Sequence, residues 1–185
     1  MSEPDYAFHH NPPKLPDHES QWDIQQAGQA VLTSNGYDQY EVSAYAKGQQ
    51  RCRHNLNYWQ FGDYIGIGAG AHGKLTDTNG NISRYQKYRQ PRQYLEQALL
   101  KNFRSSSKTL AVNDLPFEFM LNALRLKSGV ADTVYQERTG QPLSSIESLL
   151  DQAKATGLLQ DSPHKVVCTK LGWDFLDDTL SHFLG

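Results

Sequence analysis

At 185 residues with 38% hydrophobic side chains and a mean hydropathy of −0.66, the chain is long enough for one good core or two modest ones and reads as soluble and globular. No apolar run reaches membrane-spanning length, and no stretch has the charged, apolar and small-residue order of a signal peptide, so a cytoplasmic location is expected. Cys52 and Cys168, the two cysteines, are too few and too far apart to build a zinc site or an iron–sulfur cluster by themselves.

The net charge of −2 hides a split. Residues 1–41 hold seven acidic side chains against Lys14, whereas 84–108 hold Arg84, Lys87, Arg89, Arg92, Lys101, Arg104 and Lys108 against Glu96. Interleaved with Tyr85, Tyr88 and Tyr94, this basic stretch suits nucleic acid, anionic lipid or an anionic cofactor, or forms solvated helix and hairpin faces.

In chain order, Pro4, Pro12, Pro13 and Pro16 surround Tyr6, Phe8, His9 and His10, an irregular segment that reads as the continuation of something missing. The two histidines read as exposed loop residues. Asp17 to Thr33 predicts a helix, with Ser20 suited to cap it and Ile24, Ala27 and Val31 on its apolar face, ended by Asn35-Gly36. Tyr37 to Tyr45 predicts one strand, with Tyr40, Val42 and Ala44 on one face and Glu41, Ser43 and Tyr45 on the other. Glu41 near the C-terminal end of that strand stands where α/β barrels keep functional groups; an exposed or Arg-paired glutamate is the plainer reading.

Residues 51–73 are the most unusual part of the chain. His54, Asn55, Asn57 and Tyr58 gather hydrogen-bonding groups and a potential metal or heme ligand within one turn, with His54 and Tyr58 on one face if the segment is helical. Residues 64–71 predict a strand whose Ile65, Ile67, Ala69 and Ala71 face one side and whose Gly66, Gly68 and Gly70 leave the other bare. Either a ligand or a neighbouring helix would approach that side; His72, which follows the strand, is a weaker candidate ligand than His54 and could equally cap the strand end.

Thr78-Asn79-Gly80-Asn81 is a hairpin signal. Pro91 opens a helix with Tyr94, Leu95, Ala98 and Leu99 on its apolar side, and the serines of 105–107 beyond it suggest a domain boundary. From Leu110 the pattern is helical: a helix from Pro116, Asp132–Thr139 closed by Gly140, and Ile146–Thr156 closed by Gly157. A small hairpin pairing 158–160 with 165–168 follows, then an amphipathic helix over 171–184. That order is expected of a winged-helix-like unit. The would-be recognition helix offers Glu147 and Asp151 against Lys154, a poor face for nucleic acid, so no nucleic-acid partner is expected.

Tyr40-Glu41-Val42-Ser43-Ala44-Tyr45-Ala46-Lys47, Cys52-Arg53-His54-Asn55-Leu56-Asn57-Tyr58-Trp59 and Gly62 through Gly73, with Pro12 to Asp17 and the Pro116-Phe117-Glu118-Phe119 helix start, make the chain resemble the C-terminal half of HemW-type radical SAM heme chaperones. That family was long labelled oxygen-independent coproporphyrinogen III oxidase-like. The resemblance implies an α/β fold, α+β overall: the last strands and helices of a partial radical SAM (β/α) barrel (1–75), a hairpin and linking helix (76–108) and a mostly helical C-terminal domain (109–185). It also implies a parent that binds a [4Fe–4S] cluster and S-adenosylmethionine through a cysteine loop absent here, so this chain alone should be catalytically silent. His-Asn-x-x-Tyr-Trp is associated in that family with heme binding, which would fall on His54, as iron ligand, with Tyr58, Asn55 and alternatively Cys52. Gly66, Gly68, Gly70 and Glu41 would border S-adenosylmethionine or porphyrin, and residues 84–108 would serve porphyrin propionates. The implied partners are heme or porphyrin and recipient apo-hemoproteins. Peripheral membrane contact and a dimer through an exposed strand edge are further expectations. A true coproporphyrinogen III oxidase and a winged-helix interaction module are the alternatives.

Overall fold

A computed structural model describes residues 13–184; most of the proline-rich segment, with His9 and His10, lies outside the described residues. The chain divides into two units, residues 1–38 and 39–185. In the first, helix α1 (His18–Ser34) begins at Asp17, whose carboxylate accepts the Ser20 N–H at 2.8 Å. Asp17 is thus the cap, and Ser20, expected in that role, is one of the N–H groups it satisfies. No residue of α1 is buried, and Ile24 and Val31 of its apolar face are exposed.

The second unit takes up the chain from Gln39, within strand β1 (Tyr37–Glu41), which pairs with β2 (Ala44–Lys47). The single strand expected over 37–45 is instead two strands broken at Val42-Ser43, where the Gln39 side chain donates to the Val42 carbonyl. Tyr40 and Val42 spend their main-chain groups on residues 125–127 instead: Lys127 N donates to Tyr40 O and Val42 N to Arg125 O.

Helix α2 (Arg53–Trp59) leads through an irregular loop to a three-stranded antiparallel sheet, β3 (His72–Thr76), β4 (Ile82–Lys87) and β5 (Arg104–Thr109), in that spatial order. The expected hairpin joins β3 to β4, its turn held by the Asp77 carboxylate, which accepts the N–H groups of Asn79 and Asn81. Helix α3 (Pro91–Leu99) connects β4 to β5. The serine run is strand β5, because its N–H and C=O groups find β4, and Leu95 and Leu99 lie exposed on α3.

Helices α4 (Leu115–Ala123), α5 (Asp132–Thr139) and α6 (Glu147–Ala155) follow, with Gly140 closing α5 in the left-handed conformation. Leu159 pairs with Cys168 as expected, and strand β7 (Lys165–Val166) also pairs with β6 (Val130–Ala131). The terminal helix is two short ones, α7 (Lys170–Asp174) and α8 (Leu176–Ser181). They part at Phe175, whose φ of −117° and ψ of 57° are not helical. Thr179 Oγ1 donates back to Gly172 O across that bend, and Gly172 packs so closely on Leu158 that a Cβ would collide.

One core joins the sheet to these helices, running from Phe61 and Ile82 through Phe119, Met120 and Leu124 to Tyr135, Ile146 and Phe183. Phe61, Phe119 and Tyr135 stack edge to face, with centroids 5.7 and 5.1 Å apart. Each such contact adds about 0.5–1.5 kcal/mol to what burial of the rings contributes.

Candidate functional site

Short helix α2 starts at Cys52, which gives it no side-chain cap, and is exposed at Cys52, Arg53 and His54. A helix over 53–59 puts His54 and Tyr58 one turn apart on the same face. The His54 imidazole makes no hydrogen bond or ion pair to any described residue. Asn55 donates to Tyr40 Oη at 3.2 Å and so anchors the helix to β1.

The helix ends in a tight knot. Gln60 N donates to Leu56 O, Gly62 N to Asn57 O, and Asn57 Nδ2 to Asp63 O at 2.9 Å. Phe61, buried in the core, is forced to a φ of 58°. Gly62 has no room for a Cβ against Asn57, so only glycine closes this turn.

Asp63 then fastens the knot to β3: its carboxylate accepts Lys74 Nζ at 2.8 Å, Thr76 Oγ1 at 2.9 Å and Thr76 N at 2.8 Å. Lys74 is 2% exposed, and its ammonium lies 4.3 Å from the centroid of the Phe61 ring. Burial pushes the Lys74 ammonium below its ordinary value even though Asp63 works the other way. For Asp63, partial burial is outweighed by the hydrogen bonds from Lys74 and Thr76, which hold its carboxyl below the usual value.

Past the knot, Tyr64 pairs with Lys74 through two main-chain hydrogen bonds and brings its ring to 4.8 Å from that of Tyr58. Burial, then hydrogen bonding with Tyr58, pushes the Tyr64 phenol up to about 12. Here the expected glycine strand is overturned. Residues 65–71 form an irregular loop in which Gly68 and Gly70 take φ values of 99° and 72°, incompatible with a strand. Ile65 and Ile67, at 71% and 85% exposure, point away from the core. Close backbone approach does occur, at Gly66, where a Cβ would meet the His72 carbonyl. Tyr85 holds the loop: its Oη accepts the Gly66 N–H at 3.1 Å, and the hydroxyl end of its ring packs against Gly73. His72 opens β3, exposed, instead of capping a strand end.

Glu41 is 2% exposed and so not at a solvent-facing polar face, it has no arginine ion-pair partner among the described residues, and its Oε2 lacks a hydrogen-bond partner there. Trp59 Nε1 and Arg125 Nε are likewise buried and unpartnered, although the Arg125 guanidinium lies 4.8 Å from the Trp59 ring centroid.

The fold thus brings Cys52, His54, Asn55 and Tyr58 together on one element and sets Gly66, Gly68 and Gly70 in the loop that follows Tyr64; Glu41 is buried on β1. The residues are a poor fit to an iron–sulfur cluster. Cys52 is exposed, Cys168 is buried with its thiol pushed up to about 12 by burial, and no group of three His, Cys, Asp or Glu side chains is placed for a metal among the described residues. They suit a flat apolar group with one axial donor better, since an unpartnered imidazole stands on the α2 face that also carries Tyr58. Sequence reasoning missed Asp63, Lys74 and Tyr85. Lys74 sits in a polar-looking strand where a lysine reads as solvated, and only its pairing with an aspartate eleven residues earlier reveals its burial.

Residues 110–175 match the HemN C-terminal domain family. Over 98% of its length the chain is 41% identical to the heme chaperone HemW of Haemophilus influenzae and 43% identical to that of Escherichia coli. It spans about half of these relatives, 46% and 47%. In fold it is similar to coproporphyrinogen III oxidase HemN of Escherichia coli, described as a radical SAM enzyme, with a TM-score of 0.65 at 16% identity over 91% of this chain and 42% of that one.

Proposed function

From a chain homologous to the HemW heme chaperones along nearly all its residues and carrying a HemN C-terminal domain, we propose that it holds heme on α2 and passes it to apo-hemoproteins. One observation carries the reading: His54 and Tyr58 stand one turn apart on α2, the imidazole exposed and without a partner among the described residues. A neutral imidazole is a common axial ligand of heme iron, and aromatic or apolar walls shield the macrocycle. Tyr58 would supply such a wall, with Asn55 fixing the helix and Ile65 and Ile67 beyond Tyr64 offering uncovered apolar surface. An open site of this kind suits release to another protein. Cys52 is the alternative ligand at the same helix start, and Gly66, Gly68 and Gly70 would let the macrocycle approach the loop. Glu41, being buried, would act by supporting the β1 end.

The finer architecture belongs to the same proposal: the closing elements of a partial (β/α) barrel over 1–75, a linking hairpin and helix over 76–108, and a winged-helix-like domain over 109–185. The [4Fe–4S] cluster and S-adenosylmethionine are assigned to the part of the longer parent that this chain does not match. No helix among the described residues is long and apolar enough to cross a membrane; a cytoplasmic location, with a peripheral membrane contact and pairing through a strand edge, completes the proposal. Nucleic acid is left out because Lys154 on α6 is taken up by Asp151 and Asp161.

Titrating the chain with hemin and following the Soret band tests the assignment. Saturable binding is expected in the wild type and in His72→Ala, and its loss in His54→Ala; a His54→Ala protein that binds like the wild type overturns it. The likeness in fold to HemN favours a second reading, a portion of a coproporphyrinogen III oxidase, for which decarboxylation by the full-length parent is the decisive assay.

A further inference from the structure

We propose that Lys87 and Arg104, facing each other across β4 and β5, form a carboxylate-binding pair for the propionates of a porphyrin, a reading that rests on the porphyrin cargo proposed above. The two residues are direct cross-strand partners. Like charges placed directly opposite destabilise a strand pair, so such a placement calls for an anion. The neighbouring pair, Arg84 opposite Lys108, has the same difficulty and resolves it within the chain: Arg84 bonds Glu118 at 2.6 Å and Lys108 bonds Asp114 at 2.9 Å.

Lys87 and Arg104 have no carboxylate among the described residues. Each cation is set over aromatic rings instead. Lys87 Nζ lies 5.8 Å from the centroids of both Tyr94 and Phe103, and the Arg104 guanidinium 4.6 Å from that of Tyr85. A register shift between Gln86 and Lys87 re-aims the strand at this point. Tyr85 is also the residue that holds Gly66 and lies against Gly73, so the pair stands on the sheet face that supports the glycine loop. Two cations without counter-charge, ringed by flat aromatic groups beside an exposed apolar loop, match a ligand that is itself flat, apolar and doubly carboxylated. Arginine adds the forked geometry that suits a carboxylate.

Metal-free protoporphyrin IX and its dimethyl ester separate this pair from any axial ligand, since neither contains iron. Fluorescence titrations would compare the wild type with K87Q/R104Q, K87R/R104K and the single variant R104Q. The wild type and the charge-conserving double variant are expected to prefer the free acid over the ester by ~10-fold or more, R104Q by less, and K87Q/R104Q not at all. Added salt should weaken the preference in the wild type only slightly if the carboxylates are held by direct bonds. A wild type without preference, or a K87Q/R104Q protein that keeps it, overturns the proposal. Should K87Q/R104Q fail to fold, R104Q decides alone, because Arg104 is an exposed residue of the edge strand β5. Hemin coordination that survives in His54→Ala would remove the ligand assignment while leaving this pair standing, so the two failures are distinguishable.

Discussion

Helices α3 and α4 are equally long and both carry a proline in the first turn, yet they end in opposite environments. On α4, Phe119, Met120 and Ala123 are fully buried in the core; on α3, Leu95 and Leu99 stay open to solvent, Leu99 at 86% exposure. An amphipathic pattern therefore says which side of a helix is apolar, and says nothing of what covers it. The cover for α4 comes from distant sequence, Phe61 before it and Tyr135 after it.

The widest gap between the two helices should appear on truncation. Phe119→Ala is expected to lower unfolding free energy by about 3–5 kcal/mol in denaturant titration, because it empties the centre of the aromatic stack. At α3, Leu99→Gln should stay within about 0.5 kcal/mol of the wild type; a larger loss would mean that its exposed face is covered in solution.

Between these extremes lies the Asp63 to Lys74 fastening. Asp63→Ala leaves a buried ammonium without a counter-charge and should cost about 3 kcal/mol, at the low end for buried pairs because Asp63 is itself 40% exposed. Lys74→Met should cost less, since Asp63 keeps its two bonds from Thr76. The pH profile sharpens the contrast. Asp63 titrates below its ordinary 3.8 when folded, so its contribution is complete above that value and disappears as pH falls through the depressed one. Lys74 titrates below 10.5 when folded, so stability gains as pH climbs from the depressed value to 10.5. The Asp63→Ala deficit should accordingly shrink in alkaline buffer, which thermal unfolding at several pH values would measure.

Much of the helical half was legible beforehand because its signals are local. Asp132 through Thr139 closes on Gly140, and Thr78-Asn79-Gly80-Asn81 turns between strands; each depends on residues within one turn of itself. The α2 motif was legible for the same reason. Residues 64–71 misled because alternation of glycine with apolar residues fits a strand and also fits a loop that needs positive φ at Gly68 and Gly70. The serine run misled in the other direction, since serine is common in loops and β5 exists only because β4 offers it partners. The terminal helix breaks at Phe175, where the competing bond from Thr179 to Gly172 was invisible in the periodicity. That His54 and Tyr58 share one face of a helix was readable from their spacing, whereas the Lys87 and Arg104 pairing depends on strand register across a seventeen-residue separation that contains a helix.

The two cysteines differ in a way that gives the experimenter a handle. Cys168 is buried with its thiol pushed up to about 12, and Cys52 is an exposed thiol at the first residue of the α2 motif, two positions before His54. A maleimide dye or spin label under mild conditions will therefore attach at Cys52 in preference to Cys168, because Cys52 is accessible whereas Cys168 is buried with its thiol pushed up. The native sequence thus carries its own attachment point for a reporter beside the imidazole, and arrival or departure of a strongly absorbing cargo there would register as quenching without any engineered residue.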